Sequence, residues 1–186
     1  MFPRCSREGH EEWLRANYPG LVCDGEAITG TIEFTAASRT ENNQFVTLGN
    51  DLCDGNGAVV LVGSFNIRLE ERTDKSTWHL PALFVDGIEL IPERHFNQKD
   101  HSACLCSPLE EREFLEPELQ FSLFLERLVI PFLYGQSFYS SRGQWPWAEY
   151  AHGSTGILEA YSRIHDPASA EGCVQGHSQY SKSGWE

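Results

Sequence analysis

Residues 58–70 read AVVLVGSFNIRLE. Val59, Leu61, Phe65, Ile67 and Leu69 fall on one side of this run, and Ser64, Asn66, Arg68 and Glu70 on the other. Successive side chains of a strand point to opposite faces, so a period of two sustained over this length predicts a half-buried β-strand. Upstream, Ile28, Ile32 and Phe34 alternate with Thr29, Thr31, Glu33 and Thr35, which predicts a strand over about 27–36. Downstream, Thr73-Asp74-Lys75-Ser76 is a turn signal, Trp78 to Val85 resumes an extended pattern, and Asp86-Gly87 turns the chain again. The polar stretch 38–56 has room for one short strand at Phe45-Val46-Thr47-Leu48. Strands in succession with short turns between them predict an antiparallel meander of about four strands.

Helical spacing flanks the meander. Residues 8–17, EGHEEWLRAN, set Trp13 and Leu14 among charges and stop before Tyr18-Pro19-Gly20, which predicts a short N-terminal helix closed by a turn. Phe121, Phe124, Leu125, Leu128, Val129 and Phe132 form one apolar stripe on a helix starting near Pro117, with Pro131 expected to kink or end it. After a Gly-containing link, Ile157, Leu158, Tyr161 and Ile164 have the spacing of a buried helical face. The fold class is therefore α+β. One domain is expected over residues 1–165, with a disordered tail over 166–186, where large apolar residues are few.

Composition narrows the partners. Twenty-seven acidic against fourteen basic side chains give a formal charge of −13, which repels a phosphate backbone and an anionic membrane surface, so neither nucleic acid nor membrane is an expected partner. The N-terminus lacks the apolar run of a secretory signal, no stretch has the roughly twenty apolar residues of a membrane span, and a cytoplasmic location is expected. The six cysteines, at 5, 23, 53, 104, 106 and 173, form no dense framework and are read as free thiols.

Residues 86–117 form a long irregular segment, and a structureless stretch of that length in a compact domain is usually functional. It contains His95-Phe96-Asn97 and then Asp100-His101-Ser102-Ala103-Cys104-Leu105-Cys106-Ser107-Pro108. In element order and in these residues the chain resembles the ubiquitin-conjugating enzymes. That family has a UBC-like fold: an N-terminal helix, a four-stranded meander, an active-site loop with a His-Pro-Asn motif and a Cys-Leu pair, then C-terminal helices. It is similar in particular to the bacterial branch, the conjugating enzymes of the Bil antiphage operons, whose loop reads His-x-Asn, Asp-Gly, Ser-Leu-Cys-Leu-Gly-Ser-Pro. Leu80-Pro81, Ile91-Pro92, Val129-Ile130-Pro131-Phe132-Leu133-Tyr134 and His152-Gly153-Ser154-Thr155-Gly156-Ile157-Leu158-Glu159 extend the likeness over roughly residues 10–165. The chain departs from the pattern at four points. Phe96 replaces the motif's proline, Cys104 follows Asn97 by seven residues where the eukaryotic pattern has eight, and His101 and Cys106 stand where the bacterial branch has glycine.

The resemblance implies an enzyme that takes a ubiquitin-like protein from a ubiquitin-activating-type enzyme onto Cys104 and passes it to an amine of a target protein, in a setting of bacterial antiviral defence. No small cofactor is implied, because the activating enzyme has already consumed the nucleotide. A thiol suits this chemistry, since a thioester stays reactive and the thiolate is both nucleophile and leaving group. Asn97 has two readings: donor to the oxyanion formed as the amine attacks, or scaffold of its own loop. His95 reads as structural. His101 is either a proton-transfer group or an exposed loop histidine, and Cys106 a spectator, a resolving thiol or the nucleophile itself.

Three rival readings use the same residues. Cys104, Cys106, His95 and His101 all lie in residues 95–106, which raises a zinc site, but Cys-x-Cys is a tight fit for tetrahedral zinc and no second pair follows, so no metal is expected. A cysteine protease would pair Cys104 with a histidine, but no local signature accompanies it. A non-catalytic UBC-fold module that only binds a ubiquitin-like protein is the third.

Overall fold

A computed structural model describes residues 10–24, 27–39, 44–47, 58–72, 80–115, 119, 121–147 and 154–165. The chain is α+β. Helix α1 (His10–Asn17) leads into β1 (Leu21–Cys23), β2 (Ala27–Arg39), β3 (Gln44–Thr47), β4 (Ala58–Glu70) and β5 (Ala82–Val85). A 3-10 turn (Pro92–Arg94) and α2 (Arg112–Leu115) follow. Then α3 (Phe121–Phe124), a π turn (Leu125–Val129) and α4 (Ile130–Arg142) run end to end, and α5 (Ser154–His165) comes last. Among the described residues no helix is long and apolar enough to cross a membrane.

All strand pairings are antiparallel, but the sheet is not the simple meander that the sequence predicts. β2 and β4 pair along their whole lengths, from Ala27↔Glu70 to Arg39↔Ala58, and β5 adds outside β4. The opposite edge of β2 is shared by β1, which pairs at Leu21↔Gly30, and by β3, which pairs at Ala36↔Thr47. Five strands thus occupy four positions across the sheet. Gly30 is what admits β1: its φ of +132° suits glycine alone, and a Cβ there would lie 2.1 Å from the Gly20 carbonyl oxygen. The fifth strand starts at Ala82, and the expected start at Trp78, with the turn at 73–76, lies outside the described residues.

The alternating patterns face as predicted. Ile28, Ile32 and Phe34 of β2, Ile67 and Leu69 of β4, and Leu83 and Val85 of β5 are buried in one core with Phe121, Phe124, Leu125, Leu128, Val129 and Leu133 of the long helix. Each such side chain taken wholly out of water contributes about 1.5–3 kcal/mol, so this seam is the main term holding helix to sheet. The Tyr134 hydroxyl fastens it by donating to the Val59 carbonyl at 2.7 Å. α1 closes one end, with Trp13 edge-on to Phe121.

Two helical expectations are corrected. Pro131 does not end the helix, one of the two outcomes expected of it, and the helix continues to Arg142. The π turn directly before it supplies the reason. There the Ile130 N–H reaches back five residues to the Leu125 carbonyl, a wider turn that makes room for a ring lacking its own N–H. On α5, Ile157, Leu158 and Tyr161 are exposed, Leu158 by 66%, while Gly156 is buried. Periodicity shows that a helix is amphipathic but not which neighbour covers its apolar side. The Ile164 side chain and the tail 166–186 lie outside the described residues.

Candidate active site

The segment after β5 is irregular but tightly bonded. Pro92 presets the first turn of the 3-10 turn, and His95 closes it in the left-handed region at φ 57°, donating its N–H to the Pro92 carbonyl at 2.8 Å. That reversal sends Phe96 into the core, where its ring meets Phe132 edge-on at 5.5 Å. Position 96 is thus a core position, which a phenyl ring fills. The His95 ring lies against Trp145 at 4.6 Å.

From Phe96 the chain folds back on itself. Phe96 and Ala103 form an antiparallel bridge, the Asn97 N–H donates to the Ser102 carbonyl at 2.9 Å, and the His101 N–H donates to the Asn97 carbonyl at 2.9 Å. His101 sits at φ 60° and is exposed. The glycine expected there by resemblance is replaced, but the left-handed backbone is kept, and histidine is among the residues that tolerate it. Two bonds then dock the returning strand: Ala103 N–H to the Leu83 carbonyl and Cys104 N–H to the His95 carbonyl, both 2.8 Å. Cys104 is therefore fixed by its own backbone just beyond the bridge.

A polar network stiffens the loop from inside. Ser102 is fully buried. Its hydroxyl donates to Asp100 Oδ1 at 2.8 Å and accepts from Asn97 Nδ2 at 3.0 Å and Arg72 Nη2 at 3.2 Å. Asn97 Nδ2 also lies 3.1 Å from the Ser102 carbonyl, and Arg72 Nη1 donates to Asp100 Oδ2 at 3.1 Å. Burial pushes the Asp100 carboxyl up, but the Ser102 N–H and hydroxyl, then Arg72, more than offset it and hold it below its ordinary value. Of the two roles open to Asn97, the bonds in place are those of the scaffold.

Cys104 and Asn97 line a shallow recess with Arg72, Leu80, Pro81, Ala103, Leu105, Cys106 and Glu111. His95 and His101 do not line it. Neither Cys104 nor Cys106 is in a disulfide, whereas Cys23 is disulfide-bonded. The expectation of free thiols throughout is thereby corrected, since spacing along the chain cannot show which cysteines meet in space. Among the described residues no three His, Cys, Asp or Glu side chains converge where an ion would sit. Burial pushes the Cys104 thiol above its ordinary value, with Arg72 opposing the rise and Glu110 adding to it. Burial thus disfavours the thiolate relative to that of a freely exposed cysteine.

Sequence reasoning missed Arg72 and Glu111. Each lies in a charged run, Glu70-Glu71-Arg72 and Glu110-Glu111-Arg112-Glu113, of the kind usually solvated. Glu111 is only 2% exposed and accepts the Leu80 N–H at 3.2 Å, while the Arg72 side chain is 11% exposed. No local signal marks them, because their partners lie some thirty positions away in the chain, Asp100 and Ser102 for Arg72 and Leu80 for Glu111. No family model, curated protein or solved structure matches the chain.

Proposed function

We propose that this chain is a ubiquitin-like-protein conjugating enzyme with a UBC-like fold, carrying its cargo as a thioester on Cys104. The observation that carries the reading is a partly exposed thiol in a recess whose lining includes no histidine, on a loop braced by buried bonds. Exchange of an acyl group between two thiols needs little base, unlike attack by water, and asks mainly that the sulfur be held in place. The resemblance at 95–108 supplies the cargo class and the setting, bacterial antiviral defence.

In the loading step the Cys104 sulfur attacks the carbonyl of the donor thioester. A C–S bond forms at Cys104, the donor C–S bond breaks, and the departing sulfur takes up the proton. In discharge a target amine attacks the new thioester, the C–N bond forms, and Cys104 leaves as a thiol with a proton from the amine. No cofactor enters either step.

The test is reconstitution with a cognate activating enzyme, ATP and its ubiquitin-like protein. The expected product is a thiol-sensitive adduct that Cys104→Ala abolishes and Cys106→Ala leaves intact. An adduct that survives Cys104→Ala and disappears with Cys106→Ala would move the nucleophile to Cys106. Tight binding of the ubiquitin-like protein with no adduct would leave a binding module.

A further inference from the structure

We propose that Arg72 is the positioning residue of the Cys104 site, a fixed buried cation that stabilises the sulfur as it becomes thiolate. The inference rests on the carrier reading for its purpose, but its geometry does not. Arg72 follows the end of β4 and lines the same recess as Cys104. Its guanidinium is clamped by Asp100 at 3.1 Å and Ser102 at 3.2 Å, so it cannot swing out to solvent without breaking the network that holds the loop. Its Nε is buried with no hydrogen-bond partner.

An unmatched donor in a buried guanidinium is costly, and such groups in native proteins call for an explanation. Here the explanation is a charge kept only partly neutralised. Asp100, its counter-ion, is 42% exposed against 11% for Arg72. Water therefore screens the carboxylate far more than the cation, and the pair leaves net positive potential on its buried side, toward the recess. The other charged groups about the recess are carboxylates: Glu110, which opposes ionisation of the thiol, and Glu111, which lines the recess. The Asn97 amide, the alternative source of positive potential, is committed to Ser102. Arg72 is the one cation among the residues that line the recess with Cys104.

The test needs no ubiquitin-like protein. In a Cys106→Ala background, the rate of Cys104 alkylation by iodoacetamide is followed against pH by peptide mass spectrometry. Arg72→Gln is expected to raise the Cys104 midpoint by about one pH unit, slowing alkylation about tenfold at neutral pH. Arg72→Lys, which keeps the charge, should stay within about half a unit of the parent. Asp100→Asn, which breaks the clamp but spares the cation, should leave the midpoint in place or lower it. Should Arg72→Gln fail to fold, the neutral pair Arg72→Gln/Asp100→Asn leaves no unpaired carboxylate and is read by the same criterion. An unmoved midpoint in the folded charge-free variant overturns the inference. So does an equal upward shift in Asp100→Asn, which would assign the effect to loop geometry. Because the readout is the thiol itself, it can succeed where reconstitution fails, and the reverse.

Discussion

Replacing Asn97 by alanine removes the two contacts its Nδ2 makes with Ser102, at 3.1 and 3.0 Å, from the centre of the loop that presents Cys104. No buried group is orphaned. The Ser102 carbonyl keeps the Asn97 N–H, and its hydroxyl keeps Arg72 and Asp100. The loss is then that of two ordinary hydrogen bonds without a desolvation penalty, about 2 kcal/mol together. For a chain of this size that lowers the melting temperature by roughly 4–8 °C. A loosened loop affects every step that uses the sulfur, so single-turnover loading and discharge should slow together. An oxyanion donor behaves differently, because it acts as the amine attacks. Its removal would spare stability and loading while slowing discharge on the order of a hundredfold. Thermal unfolding beside both half-reactions separates the two. An unmoved melting temperature with a selective loss of discharge would refute the scaffold role and return Asn97 to catalysis.

Two further perturbations probe the same loop. Gly135→Ala would put a Cβ 2.0 Å from the Trp145 ring, whose Nε1 donates to the Glu93 carbonyl at 3.0 Å beside the Cys104 loop. A lower denaturation midpoint at unchanged m-value, by about 1–3 kcal/mol, is expected, and an unchanged midpoint would show that Trp145 yields freely. Asp100 has a folded-state pKa below its unfolded one, so its contribution is present above the ordinary carboxylate range and lost as pH falls through the lower folded value. Asp100→Asn should therefore destabilise at pH 7 and become neutral in strong acid, and a penalty that persists at low pH would contradict the ion pair.

What was legible in the sequence depended on how far each signal reaches. β2 and β4 read cleanly because each is long enough for period two to repeat, although β2 runs to Arg39, past the expected end near 36. β1 has three residues and borrows its place from Gly30, a constraint visible only once the strands are paired. The helix stripe from Phe121 to Phe132 was plain, but the passage through Pro131 depends on a π turn that no residue type announces. Cys104 stood out through its motif. Arg72 did not, because a cation written among acids gives no hint that a loop some thirty positions later will fold over it.

The raised proton affinity of Cys104 bears on the rate of transfer in the proposed carrier. The resting thiol and the proposed thioester are both uncharged and lose little to burial, whereas the thiolate does. Burial and the cation therefore act in opposite senses on one state, the thiolate: burial raises its energy and Arg72 lowers it. On the carrier reading, loading and discharge both pass through that state. Removing the cation should slow loading and discharge alike while leaving the balance between loaded and resting thiol nearly unchanged, since neither of those end states carries charge on sulfur.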